Sequence, residues 1–97
     1  MVVRALDHVT RCYSTADGGV IARELRNAFS RSDRVTLSFA GVSDVPSSFV
    51  NSSLVVLLQD YSPFDLKRRL SITDATPQIA DMIRRCIANG ERSLLAA

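Results

Sequence analysis

Apolar and polar residues alternate most regularly between Arg34 and Phe39, where Val35, Leu37 and Phe39 interleave with Thr36 and Ser38. A period of two is that of a strand buried on at least one face. Ala40-Gly41 breaks this run. Pro46 has no N–H to donate and disfavours regular structure through Val45, so a new element starts just after it. From Ser47 to about Tyr61 the stripe Val50, Leu54, Leu57, Leu58 and Tyr61 has helical spacing, widened by Val55 and Val56. The stretch Asp60 to Pro63 ends that helix.

The flanking segments follow the same logic. Met1 to Leu6 reads as a short strand at an edge, and Asp7 to Thr15 as a second strand or a loop, with the strand favoured. Ala16-Asp17-Gly18-Gly19 punctuates the chain, with Asp17 as an N-cap. Between Val20 and Phe29, Ile21, Ala22, Leu25, Ala28 and Phe29 form the apolar face of an amphipathic helix. Ser30 to Asp33 is a polar loop. Arg69 to Thr73 alternates as a strand, after a basic run, Lys67-Arg68-Arg69, that reads as a solvated turn. Thr76-Pro77 is a strong helix start. Ile79, Met82, Ile83, Cys86 and Ile87 lie on one face of that helix, and Asn89-Gly90 is expected to stop it. Residues 91–97 form a last short strand through Leu94 and Leu95, or fray.

Strands alternating with helices predict an α/β domain with a largely parallel or mixed sheet. The expectation is four or five strands with about three helices packed against them. Right-handed crossovers place the strand ends, and the helix start at Ser47, along one rim of the sheet.

Composition fits one globular domain spanning residues 1–97: the chain has 97 residues, 46% hydrophobic and 23% charged. A formal charge of +2 is too small to imply a nucleic-acid or membrane partner. Cys12 and Cys86 match no metal spacing and read as buried, reduced thiols of a cytoplasmic protein. The apolar run Leu54 to Leu58 is far too short to cross a bilayer.

Candidate chemistry is sparse. No glycine-rich phosphate loop follows a strand, and His8 is the only histidine, so an imidazole-based metal site lacks a second ligand. A Ser47, His8 and Asp44 triad can be written down, but nothing local supports it. No catalytic constellation, cofactor site or metal site is expected. At the start of the helix after Pro46, the plainer reading has Ser47 or Ser48 as a simple cap. The sharper one has unpaired N–H groups and hydroxyls that hold an anion or carry a phosphate.

The segment GVSDVPSSFVNSSLVVLL, preceded by VTLSF, resembles the STAS domain superfamily, and more closely the small bacterial STAS-like domains of unknown function. The matching residues are Ser38-Phe39, Gly41-Val42 and Ser48-Phe49-Val50-Asn51. Gly18 with Ala22-Arg23-Glu24-Leu25 sits where that group carries a glycine-containing turn and an Ala/Leu-rich helix. The likeness spans roughly residues 14–88.

Related anti-sigma-factor antagonists end the loop after the central strand in Asp-Ser-Ser-Gly, and a GHKL-type ATPase/kinase phosphorylates the serine. Laid on this chain, Pro46 takes the Asp place, Ser47 the phosphoacceptor place and Phe49 the Gly place. The resemblance therefore implies a non-enzymatic regulatory module of bacterial or phage origin that binds a protein partner such as a GHKL-type ATPase/kinase. The implied surface is Asp44, Ser47, Ser48, Phe49 and Asn51, with the Gly18-Gly19 turn nearby. It also implies that homodimers can form through helices or through a sheet edge, the edge being Met1 to Leu6 or the last residues. Two rivals differ in class: a nucleic-acid or nucleotide binder using Arg23, Arg26, Lys67, Arg68 and Arg69, and a compact inhibitor of a larger host or phage complex.

Overall fold

A computed structural model describes residues 1–96, with backbone alone for 94–96. Three strands, β1 (Val2–Arg4), β2 (Val35–Ser38) and β3 (Leu70–Thr73), form a parallel sheet in the order β1-β2-β3. Four helices are seen among the described residues: α1 (Thr15–Arg31), α2 (Ser47–Ser53), α3 (Pro63–Arg69) and α4 (Pro77–Ala96). Each strand-to-strand connection advances the sheet in the same direction, so right-handed crossovers place α1 and α2 on one face.

The register explains the core. Val3, Leu37 and Ile72 are cross-strand neighbours, as are Val35 and Leu70, and these side chains point to the helices. They meet Ile21, Leu25 and Phe29 of α1, Phe49 and Val50 of α2, and Ile79 of α4 in one cluster. Burial of each such side chain contributes about 1.5–3 kcal/mol. Phe39 and Phe49 meet edge to face, their ring centroids 6.4 Å apart. The other sheet face bears Arg4, Thr36, Ser71 and Thr73, and is mostly exposed.

Several expectations from the sequence are corrected. Asp7 to Thr15 is not a strand: a 3-10 turn at Ala5–Asp7 follows β1, with the His8 and Val9 N–H groups bonded to the Ala5 carbonyl. The remainder crosses the sheet rim as a loop and plugs buried Cys12 into the core. Helix α1 starts earlier than expected. Its N-cap is Ser14, and Asp17 is the reciprocal partner that completes a capping box. Gly18 and Gly19 therefore lie within the helix and form no turn.

The helix after Pro46 starts at Ser47 as expected but ends at Ser53. Leu54 leaves ideal helical geometry (φ −116°, ψ −49°), and Val55–Gln59 continue as 3-10 helix. β-branched Val55 and Val56 favour such a break. The basic run Lys67-Arg68-Arg69, expected as a solvated turn, is instead the end of a helix, α3: Ser62 caps it through the Asp65 N–H at 3.1 Å, and Pro63 takes the first helical position.

Helix α4 does not stop at Gly90, and no strand forms at Leu94-Leu95; it runs on to Ala96. Ala97 lies outside the described residues. A Cβ on Gly90 would lie 2.7 Å from Val55 Cγ1, so glycine serves there for close approach to the 3-10 segment. The sheet thus has three strands where four or five were expected.

Candidate functional site

The carboxyl ends of the three parallel strands gather three loops on one rim, and short polar contacts lock them together. Ser38 Oγ donates to Asp74 Oδ2 at 2.8 Å and accepts the Ala40 N–H at 3.3 Å, tying the ends of β2 and β3. Asp74 adopts φ 58°, in the left-handed region that Asp tolerates better than most residues. The loop from Ala40 to Pro46 is then pinned to the start of α4. Thr76 Oγ1 donates to the Ser43 carbonyl at 2.9 Å. Gln78 accepts the Val45 N–H at 3.0 Å and donates to the Val45 carbonyl at 2.9 Å. Val45 itself is buried, which anchors the loop from below.

This clamped loop delivers the chain to α2 at a fixed place. The N-cap of α2 is Pro46, and no side chain caps it, so neither Ser47 nor Ser48 fills the role that spacing alone assigns them. Ser48 Oγ reaches the Tyr13 carbonyl at a long 3.5 Å. Ser52 and Ser53 bond back to the carbonyls of Phe49 and Val50. Ser47 is exposed, and no described side chain engages its hydroxyl.

Of the other candidate residues, Asp44 and Asn51 are exposed on the same rim. Asp44 borders a cleft of about 210 Å³ with Arg11, Tyr13, Gly41 and Ser43. The Arg11 guanidinium lies over the Tyr13 ring, 5.5 Å from its centroid. Asn51 borders a shallow, mixed cleft with Thr15, Ser48, Ser52, Val55 and Val56.

Two candidates lie inside instead. Phe49 is 1% exposed and packs in the core, so it orients α2 and offers no contact surface. Gly18 is buried against α2: a Cβ there would sit 1.8 Å from Ser52 Oγ and 2.7 Å from the Phe49 carbonyl. Gly19 is exposed with open space around it, and plays no part in the rim's packing.

Electrostatics around the rim is dominated by caps. The Asp17 carboxyl is held below its ordinary range, chiefly by the Ser14 backbone N–H and then the Ser14 hydroxyl, with a smaller pull from Tyr13 N–H and Arg11. Burial, and secondarily Asp17, pushes the Cys12 thiol up to about 11. Burial also raises the Cys86 thiol. Both cysteines are free. His8 faces Glu24 across 3.8 Å rather than a serine. Among the described residues no three His, Cys, Asp or Glu side chains gather as a metal site.

The basic run is committed internally. Arg69 donates to the carbonyls of Phe29 (3.1 Å), Ser32 (3.4 Å) and Asp33 (2.9 Å), and its guanidinium stacks over the Phe29 and Tyr61 rings. It therefore satisfies the open carbonyls at the end of α1. Lys67 pairs with Glu91, Arg68 with Asp33 and Asp65, and Arg26 with Asp60. Sequence spacing misses both this cap and the Gln78 clamp, because each joins residues more than thirty positions apart.

A parallel three-stranded sheet packed against helices, with a clamped loop leading into serine-rich α2, makes this an α/β domain. The chain belongs to the family described as STAS-like domain of unknown function (DUF4325), whose model matches residues 17–80. That span runs from the α1 capping box to the first turn of α4, so it contains the clamped loop and all of α2. No curated protein and no solved structure matches the chain. No helix among the described residues is long and apolar enough to cross a membrane.

Proposed function

We propose that this domain is a non-enzymatic regulatory module that binds a protein partner through the rim formed by Asp44, Ser47, Ser48 and Asn51. The supporting observation is the double bond of Gln78 to the Val45 backbone, with Thr76 on Ser43. These contacts hold an otherwise irregular loop rigid, and a pre-ordered surface loses less entropy when a partner docks.

The partner fitting the family resemblance is a GHKL-type ATPase/kinase, and Ser47 is the phosphoacceptor. Its hydroxyl is exposed and no described side chain holds it, as a phosphoryl acceptor requires. Phosphorylation would add about −1.5 to −2 charges beside Asp44 and release a partner docked there. The departures from the family pattern are Pro46 in the Asp place and Ser38 in place of a strand-end Asp, and the first removes one acidic group from the acceptor's neighbourhood. Free Cys12 and Cys86 fit work in a reducing, cytoplasmic setting.

The test is to place positive charge on the rim. Asn51→Arg and Asp44→Arg alter exposed side chains, so the fold should persist while partner capture from the source cells is lost. Asn27→Arg, on the exposed face of α1, is the control. Equal capture by all three variants would contradict the assignment of the rim.

A further inference from the structure

The segments that leave the carboxyl ends of β1 and β2 enclose a cleft of about 210 Å³ between them. In parallel α/β sheets this is the end that holds ligands, because the strand-to-helix loops gather there. The cleft's apolar lining is Leu6, Cys12 and Val42, and its charges are Arg11 and Asp44. Gly41, at φ 85°, turns the chain without filling the space; a Cβ there would crowd Leu6 Cδ1 at 3.0 Å.

Opposite charges within reach of each other pair elsewhere on this molecule: Asp33, Asp60, Asp65 and Asp81 each find an arginine. Arg11 and Asp44 line one cleft, yet neither makes an ion pair with the other or with any other described side chain. The Arg11 guanidinium rests on the Tyr13 ring instead. The anchoring of the two walls explains the gap. On one side the Asp17 carboxylate accepts the Tyr13 N–H at 3.4 Å and the Ser14 N–H at 3.0 Å, and buried Cys12 pins the segment into the core. On the other, Thr76 and Gln78 hold Ser43 and Val45, the neighbours of Asp44. Closing the gap would break one of these sets of contacts.

We propose that the cleft binds a small zwitterion, an α-amino acid with a short aliphatic side chain. Arg11 takes the carboxylate, which its planar fork matches, and Asp44 takes the ammonium. The aliphatic group lies against Leu6 and Val42. Sites for drug-sized ligands hold roughly 300–1,000 Å³, so this smaller cleft suits a ligand of amino-acid size. Walls already fixed by their own contacts lose little freedom when the ligand enters.

The test is calorimetric titration of the purified wild-type protein with L-alanine and L-valine. Propionate, which lacks the ammonium, and ethylamine, which lacks the carboxylate, are titrated beside them. At least one amino acid should bind, and each singly charged compound should bind about tenfold or more weakly, since one charged hydrogen-bonding partner is then unmet. Arg11→Gln and Asp44→Asn alter exposed side chains, so circular dichroism should stay as in the wild type. Each should weaken amino-acid binding about tenfold or more. Absence of binding by both amino acids would overturn the proposal. So would propionate or ethylamine binding as tightly as the amino acid, or either variant keeping the wild-type affinity. The titration contains no protein partner, so its failure leaves the partner-binding rim standing, and loss of the rim reading leaves the cleft standing.

Discussion

The side-chain amide of Gln78 grips the backbone of Val45 as a neighbouring strand would, accepting its N–H at 3.0 Å and donating to its carbonyl at 2.9 Å. Residues thirty-three positions apart thereby fix the loop that presents Ser47. Gln78→Ala leaves both Val45 backbone groups without these partners, at a cost of about 1–3 kcal/mol. Gln78→Glu retains the acceptor and loses the donor, so a smaller loss is expected. Urea denaturation measures both. Amide exchange should quicken at Val45 and its neighbours in each variant, while β2 stays protected.

The two adjacent glycines of α1 should respond in opposite ways. Gly18→Ala drives a Cβ into Ser52 and the Phe49 carbonyl, and overpacking of this kind costs about 1–3 kcal/mol. Gly19→Ala meets nothing and replaces a poor helix former, which should stabilise by about 0.4–1 kcal/mol. Thermal melts of the two variants should therefore move to either side of the wild type.

Arg69 offers a sharper test of side-chain geometry. Its planar guanidinium serves three carbonyls and two aromatic rings at once. Arg69→Ala should destabilise by about 2–3 kcal/mol, since hydrogen bonds to charged groups lie at the upper end of the scale. Arg69→Lys should recover little of this, because an ammonium can neither fork nor stack in the same way.

Much of the fold is legible in the pattern of residues, and the misses have physical causes. The alternation at Val35 to Phe39, the stripe Ile21 to Phe29 and the Thr76-Pro77 start each rest on local periodicity or capping, and each is found in place. Helix α3 also has a local signal, Ser62-Pro63 with Asp65, but the same residues read equally well as the end of the preceding helix. Gly90 reads as a stop because glycine has two uses. Only the position of Val55 shows that this one serves close packing. Ser47, Asp44 and Asn51, read from the sequence as surface positions, are exposed. That Phe49 and Gly18 face inward depends on how α1 meets α2, which no local pattern encodes.

The Cys12 thiol gives the account a pH signature. Its ionisation is raised from 9.0 to about 11, so the folded state holds the proton more tightly than the unfolded state. The associated stability is fully present below pH 9 and is lost as pH rises through about 11. Alkylation of Cys12 in the native protein should stay slow at pH 8 and speed up sharply when urea exposes it.

The central claim, a partner-binding rim switched at Ser47, is tested most directly by recovering wild type, Ser47→Ala and Ser47→Asp from the source cells. The intact mass of each protein and its bound partner are then measured. The account predicts one phosphoryl group on the wild type, mapped to Ser47, with the partner held by wild type and Ser47→Ala and lost by Ser47→Asp. The same partner on all three proteins, with no phosphate found, would contradict it.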